Sequence, residues 1–324
     1  MTSTASAPDR PDTPDALDAF RADRIYLGAD HRRNERRTWL VTAICAATLA
    51  ALVAGGIATR SMALMASGLH MAAHVVALLV AAAAYALSRR HAENPAFSFG
   101  TGKIGYLAGF ANAVVLAVTA VLIGVESVVR LLNPETVDYK DALPIAAGGL
   151  VVNLICIWLL RPTGVTASRN DPQGDLNLSA AHLHLSADAA VSVLALVAIL
   201  AGQWLGFGFA DPLAGLLAAF LVAQFAWTLM RKAGAALVDI NPSPELTAEV
   251  RRRLSDEGER IVDLHLWRLG PGHHAVIAVI AAADPKPVAT YRARLAGLAG
   301  LSHVTVEVRG SGDPHDHHHG HAHD

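Results

Sequence analysis

The stretch Ser67–Val80, SGLHMAAHVVALLV, places two histidines inside an apolar run. His70 and His74 are four residues apart, so on a helix both rings lie on one face, about 40° apart around the axis. A polar ring facing lipid is costly. One facing the interior of a bundle packs, hydrogen-bonds or binds.

The run belongs to a chain built for a bilayer. Of 324 residues, 53% are hydrophobic and 17% charged, with a mean hydropathy of +0.36. A soluble domain carries about 25% charged residues. The charges crowd the first 37 residues, the short joints and the last 90 or so. Between them lie six apolar stretches, near 39–58, 63–87, 104–131, 143–160, 182–203 and 211–230. Each is close to the roughly 20 residues that a helical span needs. An even number of spans places both ends of the chain on one side.

The basic residues choose that side. Arg60, Arg130 and Lys140 flank the odd-numbered joints, three in all. On the other side stand thirteen: Arg21, Arg24, Arg32, Arg33, Arg36, Arg37, Arg89, Arg90, Lys103, Arg161, Arg169, Arg231 and Lys232. The positive-inside rule then predicts both termini in the cytoplasm, with Trp39, Tyr139 and Trp204 at the interfaces. Residues 1–37 are polar and rich in Pro and Asp. With no apolar core to make a signal peptide, they are expected to be a disordered arm. Residues 38–232 form the expected transmembrane domain.

Past the sixth span the pattern changes. PSPELTAEVRRRL has helical periodicity behind a Ser-Pro-Glu start, the signature of a capped N-terminus. RIVDLHLWRLG alternates as a strand, GPGH turns, and HHAVIAVIAAA reads as a second strand. PVATYRARLAGLAG is helical and LSHVTVEVRG is a third strand. The order αββαβ over 242–310 predicts a small ferredoxin-like α+β domain with helices on one face of a sheet. Residues 311–324 carry six histidines, His315, His317, His318, His319, His321 and His323. By composition they make a flexible metal-buffering tail.

His70 and His74 have natural partners in the fifth stretch. AAHLHLSADAAVSV carries His184 and Asp188, again four apart and again on one face. An aspartate near the middle of a span costs roughly 3 kcal/mol on insertion scales, which makes it a candidate site residue. Two such pairs on two helices supply three imidazoles and one carboxylate, a set suited to a first-row divalent ion. His182 points away from this pair, whereas Ser67 and Ser192 continue the two stripes. Cys45 and Cys156 stand alone in their spans and read as packing residues. Glu126 and Arg130 read as an i,i+4 ion pair. Asn112, Asn153 and the Gly105–Gly109 pair read as contacts between helices.

LHMAAH, FSFGTGKIGYLAGFANA, HLHLSADAAVSV, DPLAG and DLHLWRLGPGHHA together resemble the cation diffusion facilitator family over nearly the whole chain after about residue 37. Many members pair His or Asp with Asp in the second span. Here His74 holds the second position, and this form together with DLHLWRLGPGHHA resembles the DmeF-type branch associated with cobalt and nickel export. The resemblance implies a homodimeric, proton-coupled efflux transporter of the bacterial inner membrane, not an enzyme. Its transport ligands map onto His70, His74, His184 and Asp188. Its substrates are Co²⁺ and Ni²⁺, with Zn²⁺ and Cd²⁺ as further cargo; no cofactor is permanently bound, and its partners are protons, lipid and a second copy, not nucleic acid. Members often add ligands in the cytoplasmic domain, where His265, His273, His274 and His303 are the candidates here. Val262 stands where some relatives carry a histidine.

Other readings stay open at this point. A zinc-preferring exporter has the same ligands. A membrane haem protein would use His70 and His184 as axial ligands, and would leave Asp188 an unexplained buried charge. A metalloenzyme would need a general base, and no HExxH occurs.

Overall fold

A computed structural model describes the backbone of residues 25–60, 62–133, 139–161, 175–205, 209–255 and 258–310. Six long helices come first: α1 (His31–Thr59), α2 (Met62–Arg90), α3 (Ile104–Leu132), α4 (Tyr139–Leu159), α5 (Leu176–Leu205) and α6 (Ala210–Leu237). They fall on the six apolar stretches. Five are long and apolar enough to cross a bilayer, and the apolar part of α4, Leu143–Leu159, is shorter. The chain is a multi-pass membrane protein.

Three boundaries differ from the sequence expectation. α1 begins at His31, and Tyr26 is buried against Leu269 and Ala275 of the small domain. Residues 25–37 are therefore ordered structure, not part of an arm; residues 1–24 lie outside the described residues. Charged helical turns such as HRRNERR carry no hydropathy signal, and here they are held by contacts such as the two-pronged Arg89–Glu35 pair at 2.9 and 3.1 Å. α5 starts six residues before 182, at Leu176. Asp175 caps it, its Oδ1 accepting from the N–H groups of Asn177 and Leu178 at 3.1 and 3.2 Å, the usual role of an N-cap aspartate. α6 runs on to Leu237, past the expected end of the membrane domain at 232.

The bundle has two packing centres. One joins α3, α5 and α6 through Tyr106, Ala113, Leu116, Ala180, Val222 and Leu229. The other joins α1, α2, α4 and α5 through Val41, Cys45, Leu78, Cys156, Leu160 and Leu185. The helix α5 contributes to both and forms the spine of the bundle. Gly105 and Gly109 let α3 lie close to α5: a Cβ on them would stand 3.5 Å from Asn177 Cβ and 3.5 Å from the Leu176 carbonyl oxygen, respectively. Cys45 and Cys156 are fully buried, with Sγ atoms 3.8 Å apart. Glu126 and Arg130 pair at 2.8 Å on an exposed face.

The small domain follows the expected order: α7 (Pro244–Leu254), β1 (Glu259–Gly270), β2 (His273–Ala282), α8 (Val288–Leu295) and β3 (Leu301–Gly310). Ser243 caps α7 by accepting from Leu246 N–H at 3.2 Å. β2 is central, antiparallel to β1 and parallel to β3. Val276, Ala278 and Ile280 alternate on the buried face of β2, under Val250 and Leu254 of α7 and Tyr291 and Leu295 of α8. This is the period of two that a one-sided sheet requires.

The domain docks on the end of the bundle where α1 and α3 begin and where α2, α4 and α6 end. Gly102 and Gly270 allow the approach, since a Cβ on either would collide with main-chain oxygens of Leu269 and Tyr26. Lys103, before α3, pairs with Asp239, just past α6, at the same end. Arg32, Arg33, Arg36, Arg37, Arg89, Arg90, Arg161, Arg231 and Lys232 all belong to this end. Trp204 and Trp39 are exposed; the Tyr139 side chain lies outside the described residues.

Candidate functional site

The site lies where α2, α4 and α5 meet. His184 and Asp188, four apart on α5, present one face, and α2 brings His74 against it. His74, His184 and Asp188 are 3%, 4% and 8% exposed. Burial this deep obliges each polar atom to find a partner.

His74 is the hub. Its Nδ1 is 2.8 Å from His184 Nε2, and its Nε2 is 3.3 Å from Asp188 Oδ2. The rings meet edge to face, with centroids 4.9 Å apart and planes at 85°. Asn153 of α4 donates its Nδ2–H to the same Asp188 oxygen. With neutral rings only one tautomer pair serves every contact: His184 Nε2–H donates to His74 Nδ1, and His74 Nε2–H donates to the carboxylate.

Asn153 went unrecognised in the sequence as a partner of the carboxylate; it read only as a contact between helices. Its signal was a lone polar residue in an apolar span. Thr119 of α3 was not singled out at all. It joins His74, His184 and Asp188 around a cavity of about 30 Å³, closed otherwise by apolar residues such as Leu116, Ile123 and Val222. This volume is of the order of one or two waters. A haem macrocycle is larger than this cavity. Ser67 and Ser192 do not line this cavity. The backbone of His70 lies on α2 one turn before His74, and its side chain is outside the described residues.

The spacing of the three side chains bears on a metal ion. Imidazole nitrogens bound at 2.0–2.1 Å to one tetrahedral ion are about 3.3 Å apart. The nitrogens of His74 and His184 stand at hydrogen-bond distance, about half an ångström closer. Among the described residues no group of three or more His, Cys, Asp or Glu forms a cage for an ion.

The four histidines of the small domain do not converge. His265 pairs with Asp263 at 2.8 Å on an exposed face. His273 contacts Ser302 Oγ at 2.7 Å and the Leu27 carbonyl at 3.2 Å. His274 is fully buried, 3.2 Å from the Gly300 carbonyl. His303 stacks edge-on with Phe99. The tail histidines, His315 to His323, lie outside the described residues. Away from the membrane, Glu259 is held well below the usual carboxylate range, at about 2, chiefly by hydrogen bonds from Arg294 and then by Lys286, against its partial desolvation.

A family model for the cation efflux transmembrane domain matches residues 38–238. The zinc transporter ZitB of Escherichia coli is 32% identical over 240 residues, covering 73% of this chain and 74% of that protein. The cadmium, cobalt and zinc/H(+)-K(+) antiporter of Bacillus subtilis is 28% identical over 270 residues, covering 81% and 85%. The metal cation efflux system protein CzcD of Cupriavidus metallidurans is 28% identical over 293 residues, covering 87% and 90%.

Proposed function

Because the chain belongs to the cation efflux, or cation diffusion facilitator, family of metal-cation transporters, we propose that it exports divalent transition-metal ions in exchange for protons, with His70, His74, His184 and Asp188 as the transport ligands. The observation that carries the proposal is the buried contact of His74 with both His184 and Asp188. A metal takes deprotonated imidazole nitrogens and a carboxylate, so its binding expels the protons that these groups share. With the site open to the cytoplasm, metal enters and the proton leaves. After the bundle rocks, protons from outside compete for the same atoms and release the ion. Histidine ionises near neutral pH, which suits it to this exchange.

Nitrogen-rich ligation disfavours Mn²⁺ and Mg²⁺. His74 in place of the commoner carboxylate supports Co²⁺ and Ni²⁺ as cargo. The names of the relatives support a second reading, with Zn²⁺ and Cd²⁺ preferred. The basic end of the bundle, with the small domain docked on it, supports a cytoplasmic location for both termini. The small domain is the expected contact between two copies.

The test is metal uptake into inverted vesicles under an imposed pH gradient, with Co²⁺, Ni²⁺, Zn²⁺, Cd²⁺ and Mn²⁺ side by side. Uphill uptake that collapses when the gradient is removed is expected. Flux that ignores the gradient refutes proton exchange, and wild-type flux in both Asp188→Ala and His74→Ala refutes the site.

A further inference from the structure

The first turns of α1 hold a second built feature, on the outside of the bundle. Arg32, Glu35, Arg36 and Trp39 are spaced i, i+3, i+4 and i+7, which places them within one arc of about 100° on a helix. The opposite face, with Asn34, Thr38 and Val41, is buried in the bundle. With Arg89 from the end of α2, the first four line an open groove of about 500 Å³. This is in the range of small-molecule sites.

The charges of the groove do not cancel. Arg89 and Glu35 neutralise one another through their paired hydrogen bonds. Arg32 and Arg36 are exposed, and among the described residues neither has a hydrogen bond or an ion pair. Two unspent guanidinium groups therefore face one groove. Its far wall is Trp39, 43% exposed, followed by Leu40 at 51%, where the apolar span begins. Guanidinium groups bind phosphate in a planar, two-pronged manner, and tryptophan settles at the headgroup level of a bilayer. Phosphate recognition above and acyl contact below describe one kind of ligand.

We propose that the groove of Arg32, Arg36, Trp39 and the Glu35–Arg89 pair binds the headgroup of an anionic phospholipid in the leaflet on that side of the membrane. The lipid bridges α1 and α2 at the end where the small domain docks. Nothing in the proposal depends on which ion is carried, and its test reads lipid, not transport.

The full chain, purified in detergent, is offered phosphatidylglycerol, phosphatidylcholine or inorganic phosphate; retained lipid is counted by native mass spectrometry and stability by thermal melting. The expected result is a preference of about thirty-fold for phosphatidylglycerol over phosphatidylcholine, the equivalent of about 2 kcal/mol for two basic side chains. The double variant Arg32→Gln/Arg36→Gln falls to near parity. The double variant Arg231→Gln/Lys232→Gln, which removes the same charge elsewhere at that end, keeps the preference. Brominated phosphatidylglycerol quenches a tryptophan signal that Trp39→Phe removes, a readout that needs no arginine variant to fold. Equal retention of both lipids, equal loss in the two double variants, or a stabilisation by phosphate that matches the lipid's overturns the proposal.

Discussion

Asp188→Asn separates the chemistry of the site from its architecture. One carboxylate oxygen, Oδ2, takes contacts from both His74 and Asn153. An asparagine that turns its carbonyl oxygen to that position still accepts from both donors, so the packing of α2, α4 and α5 is kept. Two charge-assisted hydrogen bonds become ordinary ones, a loss of about 1–2 kcal/mol in all. Against this, an amide in place of the carboxylate relieves part of the roughly 3 kcal/mol that a charge in the middle of a span costs on insertion scales. The two nearly offset, and the variant is expected to melt within a few degrees of wild type, or slightly above it. Transport has no such compensation, because the ligand set loses its only negative charge. Removing even a group that merely orients a ligand costs about 10–100-fold in affinity or activity, so loss of the ligand itself is expected to exceed 100-fold. Paired measurements decide it: metal flux in inverted vesicles and thermal melting of the purified protein. A variant that keeps more than half of the flux refutes the role of Asp188. One that fails to fold refutes the claim that the amide replaces the carboxylate structurally.

Asn153→Ala leaves Asp188 without one of its donors, and a 10–100-fold drop in metal affinity is expected together with a loss of about 1–3 kcal/mol in stability; wild-type affinity by isothermal titration would show that the contact is incidental. His74→Asp exchanges a nitrogen donor for oxygen and is expected to raise the ratio of Zn²⁺ to Co²⁺ flux about tenfold, with an unchanged ratio removing His74 as the selectivity residue. In the small domain, Glu259 has its pKa depressed from 4.5 to about 2. The stability it contributes is thus complete above its unfolded value and fades as pH falls from about 4.5 to 2. Glu259→Gln should flatten the pH dependence of amide exchange in β1 and α8 across that window, and an unaltered profile speaks against the Arg294–Glu259 pair. Deleting residues 314–324 should leave transport intact and shift only its dependence on metal concentration; complete loss would give the tail a larger role than buffering.

Much of this molecule is written in local pattern. Six apolar stretches need no long-range information to become helices, because a bilayer-spanning backbone must satisfy its own hydrogen bonds. The strands of the small domain announce themselves by alternation. His184 and Asp188 are legible as a pair because helical spacing is itself a statement about faces. What failed to show was polar material that acts across the chain. The turns from His31 to Arg37 look like a solvated arm until Glu35 meets Arg89, 54 residues away. Asp175 and Asn177 look like loop residues until one caps α5 and the other bonds the Ala81 carbonyl on α2.

The sequence alone determined that this is a membrane bundle with a small α+β domain, and it offered His70, His74, His184 and Asp188 as the candidate ligands. Periodicity and hydropathy are properties of neighbours along the chain, and those were enough. Only the tertiary structure decided that His74 is the hub, that Asn153 of a third helix shares the carboxylate, and that the four histidines of the small domain point to separate partners. The first two of those facts depend on how helices turn and cross, which is set by packing between residues as far as 110 positions apart, and no local pattern encodes that.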